Sequence, residues 1–210
     1  TVVATHLSQI LQDHAHELLG HEEVEQLLNM LKQNAPKLVE NLVPDALPLG
    51  VLVKVLQNLL QEHVPIRDLR TIAETLAEYG TRSQDPGVLT AAARISLCRM
   101  IVQNINNGAE ELTVITLEPS LEQILLQSTQ AADADTGGIE PGLAERLQRS
   151  LQEVAQKQEI MGQTPVLLTA PAIRPILARF ARFGVPNLQV LSYQEIPDSK
   201  QVKIVATVGQ

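Results

Sequence analysis

Sulfur and aromatic side chains are scarce in this chain of 210 residues. It has one cysteine, Cys98, no tryptophan, and only Tyr79, Phe180, Phe183 and Tyr193 as aromatic residues. A single thiol excludes an internal disulfide and is consistent with a reducing compartment, so we expect the cytoplasmic side. Because aromatic residues are so few, the core must be built from Leu, Val, Ile and Ala, which favours helices packed on helices.

Long apolar runs are also missing. The longest is well short of the roughly 20 residues that cross a bilayer. Thr1 leads directly into a helical pattern, with neither a basic start nor an apolar stretch behind it, so no signal peptide is expected. Because the chain begins without Met and already inside a structural element, we expect a fragment of a longer protein.

Basic residues are outnumbered by acidic ones. The formal net charge is -8 and the pI is near 5.1. A chain with this charge is repelled by nucleic acid and by anionic membrane surfaces. A nucleic-acid function is therefore disfavoured.

The sequence motifs of common enzyme classes are absent as well. There is no G-x-x-x-x-G-K-[ST], G-x-G-x-x-G, G-x-S-x-G or H-E-x-x-H. The turn that would hold a phosphate reads "TAPAIRP", and its prolines remove the backbone donors that a phosphate needs. We therefore expect no cofactor and no enzyme activity. A small α/β enzyme remains an alternative class, but it would need a pocket with perturbed titratable groups, and the sequence shows none.

Histidines cluster near the start of the chain, at His6, His14, His16 and His21. On a helix His14 and His16 lie about 200 degrees apart, and Gly20 interrupts the path to His21, so no pair has the i, i+4 spacing of a chelating site. We expect surface histidines and no metal. Cys98 lies beside Arg99 but on an apolar helix face, which predicts a buried structural cysteine rather than a nucleophile.

Apolar residues at spacings of three and four predict a helical first half. Asp68 and Asp85 are the expected N-caps of two of its helices, with Pro86 at a first helical position. Val88, Ala91, Ile95, Cys98 and Val102 are expected to share the apolar face of the last helix. The predicted helices are Thr1–Leu19, Glu22–Lys32, the short Lys37–Leu42, Pro48–Glu62, Asp68–Tyr79 and Asp85–Asn104.

In the second half, the spacing of apolar residues changes from that of a helix to that of a β-strand. A β-branched strand at Glu111–Leu117 is followed by alternating helices and strands, and a strand, helix and strand joined by short turns predict parallel pairing. The small, acidic stretch "ADADTGG" predicts a loop. The predicted helices are Ser120–Gln130, Pro141–Met161 and Ile173–Phe183, and the further strands are "TPVLLTA", "NLQVLSY" and "KIVATVG". The fold class is thus mixed α and α/β, with an N-terminal helical segment and an all-α bundle before a small α/β domain that has a mainly parallel sheet.

The segment "VPIRDLRTIAETLAEYG", after the helix from Pro48, could be a DNA-binding helix-turn-helix. Its helix offers Arg70 against Asp68, Glu74 and Glu78, which is a poor composition for contacting bases and phosphates. Asp68 can instead cap the helix, and exposed ion pairs contribute under about 1 kcal/mol. A helix-turn-helix regulator is kept as the alternative function.

Several long blocks carry a family resemblance. "VLQNLLQEHVPIRDLRTIAETLAEYG", "DPGVLTAAARISLCRMIV", "IEPGLAERLQRSLQEVAQKQE" and "PVLLTAPAIRPILARFARFGVPNLQVLSYQEIP" occur in an order that resembles the C-terminal cytoplasmic part of the FlhA (FHIPEP) family. That family is the large export-gate component of flagellar type III secretion, with relatives in virulence injectisomes. The likeness covers essentially the whole chain. "VVATHLSQILQDHAHELLG" and the ATVG-type ending favour the flagellar branch.

The resemblance implies an integral membrane protein with this part at the cytoplasmic face of the bacterial inner membrane. The cytoplasmic part would form a homo-oligomeric ring, a nonamer in the family, that receives chaperone-bound export substrates and helps order their export. Other export-apparatus proteins, including the export ATPase complex, are implied partners. Residues 1–43 would complete an upstream subdomain, 44–109 would form an all-helical subdomain, and 110–210 a small α/β subdomain with a flexible loop at about 131–139.

The resemblance also implies two sites. The chaperone-docking dimple of the family lies between its first two subdomains, so most of it would be upstream, and Thr1, Val2 and Thr5 could form part of its rim. For the helical subdomain we hypothesise a ring or partner contact on its charged outer face, at Arg67, Arg70, Glu74 and Glu78.

Overall fold

The computed structural model describes residues 1–131 and 139–209. Most of the loop predicted at about 131–139 therefore lies outside the described residues. The chain divides into two compact units, Thr1–Leu97 and Cys98–Gln210. We call them the helical unit and the α/β unit. The predicted fold class, helical first and then α/β with a parallel sheet, is confirmed.

Six helices form the described framework of the helical unit, at the places where the apolar spacing predicts them. Their core contains Leu52, Leu56, Leu59, Ile72 and Leu76, all fully buried. The helices are α1 (Val2–Leu18), α2 (His21–Asn34), α3 (Pro36–Glu40), α4 (Leu49–Gln61), α5 (Leu69–Tyr79) and α6 (Pro86–Ser96).

The helix expected at Lys37–Leu42 has different bounds. Helix α3 ends at Glu40 and continues as a wider π-helical turn, Asn41–Ala46. Within this turn Val43 is extended, with φ -127 and ψ 123. Val43 precedes Pro44, and the residue before a proline avoids the helical region because the proline ring crowds it.

Both predicted N-caps are confirmed. A carboxylate oxygen of Asp68 accepts a hydrogen bond from the Thr71 backbone N at 3.2 Å, and the other accepts from the Thr71 hydroxyl at 2.6 Å. Asp85 accepts from the Gly87 backbone N at 2.9 Å, with Pro86 as the first residue of α6. Each cap satisfies an N–H group that has no partner inside its helix.

The single helix predicted over Asp85–Asn104 is wrong. Helix α6 ends at Ser96, and a separate helix α7 begins at Cys98 and runs to Asn106. The predicted apolar face is wrong too, since Val88 is 50% exposed and Ile95 is 38% exposed. Apolar residues surround this helix on all sides, so their spacing did not decide which side packs against α4 and α5. The buried side of α6 consists of Leu89, Thr90, Ala93 and Arg94.

The α/β unit is built on a four-stranded sheet. Its strands are β1 (Glu111–Leu117), β2 (Val166–Thr169), β3 (Gln189–Ser192) and β4 (Gln201–Val208), in the spatial order β3-β2-β1-β4. Each described neighbouring pair is parallel. Its further helices are α8 (Pro119–Ala131), α9 (Pro141–Ile160) and α10 (Arg174–Gly184).

One face of this sheet packs against helices. Ile115, Leu117, Leu167 and Val190 contribute from the strands. The helices supply mainly leucines, so the scarcity of aromatic residues is met by aliphatic packing. The helix residues of this core are Leu121, Leu125, Leu147, Leu151, Ala155, Leu177 and Ala181.

Candidate functional site

The residues expected at a docking rim lie together on the first turn of α1. Thr1 caps this helix, because its hydroxyl accepts from the Ala4 backbone N at 3.3 Å. The Thr5 hydroxyl donates to the Thr1 carbonyl at 3.1 Å. Val2 is 86% exposed. The two hydroxyl groups thus stabilise the start of the helix, while the apolar side chain of Val2 is free for contact.

Helix α1 exposes most of its apolar side chains. No residue of this helix is buried. An amphipathic helix normally turns its apolar stripe toward a core. In this helix the stripe faces outward, and we call it the α1 apolar face. Its members are Val2, Val3, Leu7, Ile10, Leu11 and Leu18, which are 41–86% exposed.

Polar contacts from the C-terminal half of α4 and from the turn after it hold α1 in place. The Gln57 side chain donates to the Leu19 carbonyl at 2.7 Å. His63 Nε2 lies 3.5 Å from Asp13 Oδ1. The α1 apolar face takes no part in these contacts.

The charged residues predicted on α5 lie on an exposed ridge. Arg70 Nε is 3.2 Å from Glu74 Oε1, and Arg82 Nη2 is 3.9 Å from Glu78 Oε1. Four-residue spacing places Arg70, Glu74 and Glu78 on one side of the helix, and Arg67 is exposed before its N-cap. We call these four residues the α5 charged ridge. Its two positive and two negative side chains suit contact with another protein surface and leave little net positive charge for a polyanion.

The expectation of surface histidines is wrong for one residue. His6, His14 and His21 are exposed, but His16 is half-buried, and its buried Nδ1 has no hydrogen-bond partner among the described residues. Across residues 1–131 and 139–209, no three His, Cys, Asp or Glu side chains form a group that could hold a metal ion.

Cys98 is half-buried as the first residue of α7, so the prediction of a buried residue inside a longer helix is wrong. Desolvation by burial raises the pKa of its thiol, although backbone hydrogen bonding and the charge of Arg99 act in the other direction. A raised pKa keeps the sulfur protonated near neutral pH, which is the less nucleophilic form.

Besides the exposure of the α1 apolar face, the sequence analysis missed two exposed apolar features on α6 and α10. One is the outer side of α6, at Val88, Ala91 and Ile95. The other is Phe183 on α10, which is 79% exposed, with the Arg182 guanidinium 4.9 Å from its ring centroid. The pattern "RFARF" did not decide this, because Phe180 and Phe183 lie only about 60 degrees apart around a helix, yet only Phe180 packs on the core.

None of the described helices is by itself long and apolar enough to cross a membrane. Among the described residues, one pair of consecutive helices, α6 and α7, reaches the necessary length and composition when taken together.

The sequence and fold of the chain are similar to those of known proteins. The model of the FHIPEP family matches residues 1–201. The flagellar biosynthesis protein FlhA of Escherichia coli K12 is 49% identical over 209 residues, which cover 100% of this chain and 30% of that protein. The chain therefore spans about a third of the length of this relative.

Solved structures of type III secretion proteins have the same fold. The structure of the Chlamydia pneumoniae CdsV and CdsO protein complex matches with a TM-score of 0.90 and 28% identity, over 98% of this chain and 59% of that one. The nonameric EscV cytosolic domain matches with a TM-score of 0.85 and 29% identity, over 99% and 61%. The resemblance carried by the sequence blocks is thus confirmed, and the chain belongs to the FHIPEP family.

Proposed function

We propose that this chain is the ring-forming and substrate-docking part of a flagellar type III export gate, on the cytoplasmic face of the bacterial inner membrane. The observation that carries the proposal is the exposure of apolar and charged side chains that suit protein contacts, on the α1 apolar face, the α5 charged ridge and the outer side of α6. Family membership and the 49% identity to a flagellar relative support the flagellar branch. The proposed role is non-catalytic and uses no cofactor.

We infer that the α1 apolar face packs against an upstream part of a longer protein. Burying a large aliphatic side chain is worth about 1.5–3 kcal/mol, and six such side chains are left uncovered. We also propose the division into 1–43, 44–109 and 110–210, with the first segment completing an upstream subdomain. Thr1, Val2 and Thr5 would then lie at the edge of a docking site for chaperone-bound substrates.

A pull-down tests the docking proposal. Flagellar chaperone-substrate complexes are offered to this chain and to a longer protein that restores the upstream residues. We expect capture by the longer protein and a weaker complex when Val2 is replaced by Asp in it. The control is Met30→Asp, because Met30 is also a large exposed apolar residue but lies on α2. Equal capture by the V2D variant would exclude Val2 from the rim.

For assembly we propose that the α5 charged ridge and the outer side of α6 contact a second copy of the chain. Nonamer formation by the EscV relative supports this proposal. Charges of both signs can select a partner, and the apolar residues of α6 can supply buried area. In the full-length protein we expect Arg70→Glu and Ile95→Asp each to reduce ring assembly, measured by particle counts in electron micrographs, and to reduce motility. Unchanged assembly and export in the R70E variant would reject the ridge as a contact.

Partners from the export apparatus are also proposed. The Chlamydia pneumoniae relative was solved as a complex of CdsV and CdsO. We infer that this chain likewise contacts other export proteins, including the export ATPase complex. The helix-turn-helix regulator is the weaker alternative, because Arg70 is paired with Glu74 and the chain is acidic.

A further inference from the structure

Helix α10 exposes an aromatic ring beside two arginines. Phe183 is largely exposed, and the Arg182 guanidinium lies over its ring at 4.9 Å from the centroid. Arg179 is exposed one turn earlier. Positions i, i+3 and i+4 of a helix lie on one side, so these three side chains form a continuous surface. We call Arg179, Arg182 and Phe183 the α10 patch.

The ring of Phe183 is not needed for the packing of α10. Phe180 packs against the core of the α/β unit, together with the buried Leu177 and Ala181. The end of the helix is held separately, because the Gln148 side chain of α9 donates to the Gly184 carbonyl at 3.4 Å. Phe183 therefore exposes a large apolar surface that the fold does not use.

The charge of α10 is opposite to that of the whole chain. The helix contains three arginines and no Asp or Glu. Arg174 is buried, with its Nε 4.0 Å from Glu195 Oε2. By contrast, no ion pair joins Arg179 or Arg182 to another described residue. The patch is thus a local positive surface on a chain of net charge -8.

We propose that the α10 patch binds an acidic amphipathic helix of a partner protein. Phe183 packs among the apolar side chains of that helix, and Arg179 and Arg182 pair with its carboxylates. Arginine and aromatic residues are enriched at the centres of protein interfaces, and the ridges of one helix pack into the grooves of another. A long polyanion is disfavoured, because two arginines do not offset the repulsion from the rest of the acidic chain. This interaction does not require the contact between copies of the chain that is proposed above for ring assembly.

A titration followed by NMR tests the proposal on the intact chain. The isotopically labelled protein is titrated with a synthetic helical peptide that carries Glu on its polar face and Leu on its apolar face. We expect amide shift changes concentrated at residues 176–187. Phe183→Ala and the double variant R179E/R182E should each weaken binding by about tenfold or more, and added salt should weaken binding to the unchanged protein.

The double variant R146E/R149E is the matched control, since it makes the same charge change at two exposed arginines of α9. We expect it to bind as the unchanged protein does, and circular dichroism checks that all variants are folded. A peptide with Lys in place of Glu should not bind. Shift changes confined to another surface, equal binding of the Lys peptide, or full affinity in the F183A variant would overturn the proposal. Tighter binding to phosphatidylserine vesicles or to duplex DNA than to the acidic peptide would also overturn it.

Discussion

At the scale of single residues, a buried ion pair is expected to stabilise the α/β unit. Arg174 Nε lies 4.0 Å from Glu195 Oε2, and Arg174 Nη1 donates to the Val190 carbonyl at 3.2 Å. Glu195 also accepts from the Ser192 backbone N at 2.9 Å. We predict that Arg174→Met lowers the free energy of unfolding by about 3–5 kcal/mol, because it leaves the Glu195 charge buried without its cation. Denaturant unfolding measures this loss.

The matched control is Arg149→Met. Arg149 forms an ion pair with Glu145 on the exposed side of α9. Water screens this pair, so its removal should cost under about 1 kcal/mol. A similar cost for the two variants would show that burial does not strengthen the Arg174 pair.

The hydroxyl of Tyr193 provides a pH-dependent test. It donates to Glu122 at 3.1 Å, and Glu122 also accepts from the Ala170 backbone N at 2.8 Å. Desolvation by burial, followed by the charge and hydrogen bond of Glu122, raises the pKa of Tyr193 above its ordinary value of 10.0. The folded state thus favours the protonated phenol. Its stabilisation is complete below the unfolded-state pKa and is lost as the pH rises through the folded-state pKa.

We predict that the unfolding free energy of the unchanged chain falls more steeply between about pH 9.5 and 11.5 than that of the Tyr193→Phe variant. Parallel urea titrations over this range measure the difference. Lysines titrate in the same range in both proteins, so their contribution cancels in the comparison. Equal slopes would show that Tyr193 has the same pKa in the folded and unfolded chains.

At the scale of helices and strands, the exposure of helix α1 predicts that its apolar side chains contribute little to stability. None of its residues is buried, whereas Leu56 of α4 is fully buried. We predict that Leu7→Ala changes the unfolding free energy by less than about 0.5 kcal/mol, and that Leu56→Ala lowers it by about 2–5 kcal/mol. The L7A substitution should also reduce the binding of a hydrophobic dye, because it shortens the α1 apolar face. A large loss of stability in L7A would contradict the exposure of this face.

The same scale shows which elements were predictable. The starts of the helices after Asp68 and Asp85 were placed correctly, because capping is decided by neighbouring residues. The break at Leu97 was missed, since Ile95, Cys98 and Val102 continue a plausible helical spacing across it. Helices α6 and α7 pack against different neighbours, and this packing overrides the helical spacing.

At the scale of the whole molecule, the net charge predicts whether the chain binds nucleic acid. With a net charge of -8, the chain as a whole should repel nucleic acid, most strongly at low salt. We predict no mobility shift of duplex DNA at about 50 mM salt, where contacts to phosphates are strong. A salt-dependent shift would revive the helix-turn-helix alternative. The Arg70→Glu variant would then have to abolish that shift.

Of the candidate surfaces, the sequence predicted the charged ridge on α5 and missed the apolar ones. Arg70, Glu74 and Glu78 follow a four-residue spacing. Charged side chains are nearly always exposed to water, whichever neighbours the helix packs against. An apolar residue can lie inside or outside. The exposure of Leu7, Val88 and Phe183 depends on whether a neighbouring element covers them, and this information is not local.

Family membership, the order of helices and strands, their caps and the acidic charge all follow from the order of residues along the chain, because each depends on local spacing or on sums over residues. The outward face of α1, the buried side of α6, the pairing of Arg174 with Glu195 and the exposure of Phe183 depend on residues distant in sequence. For these features, packing between elements chooses among several faces that the local pattern permits equally.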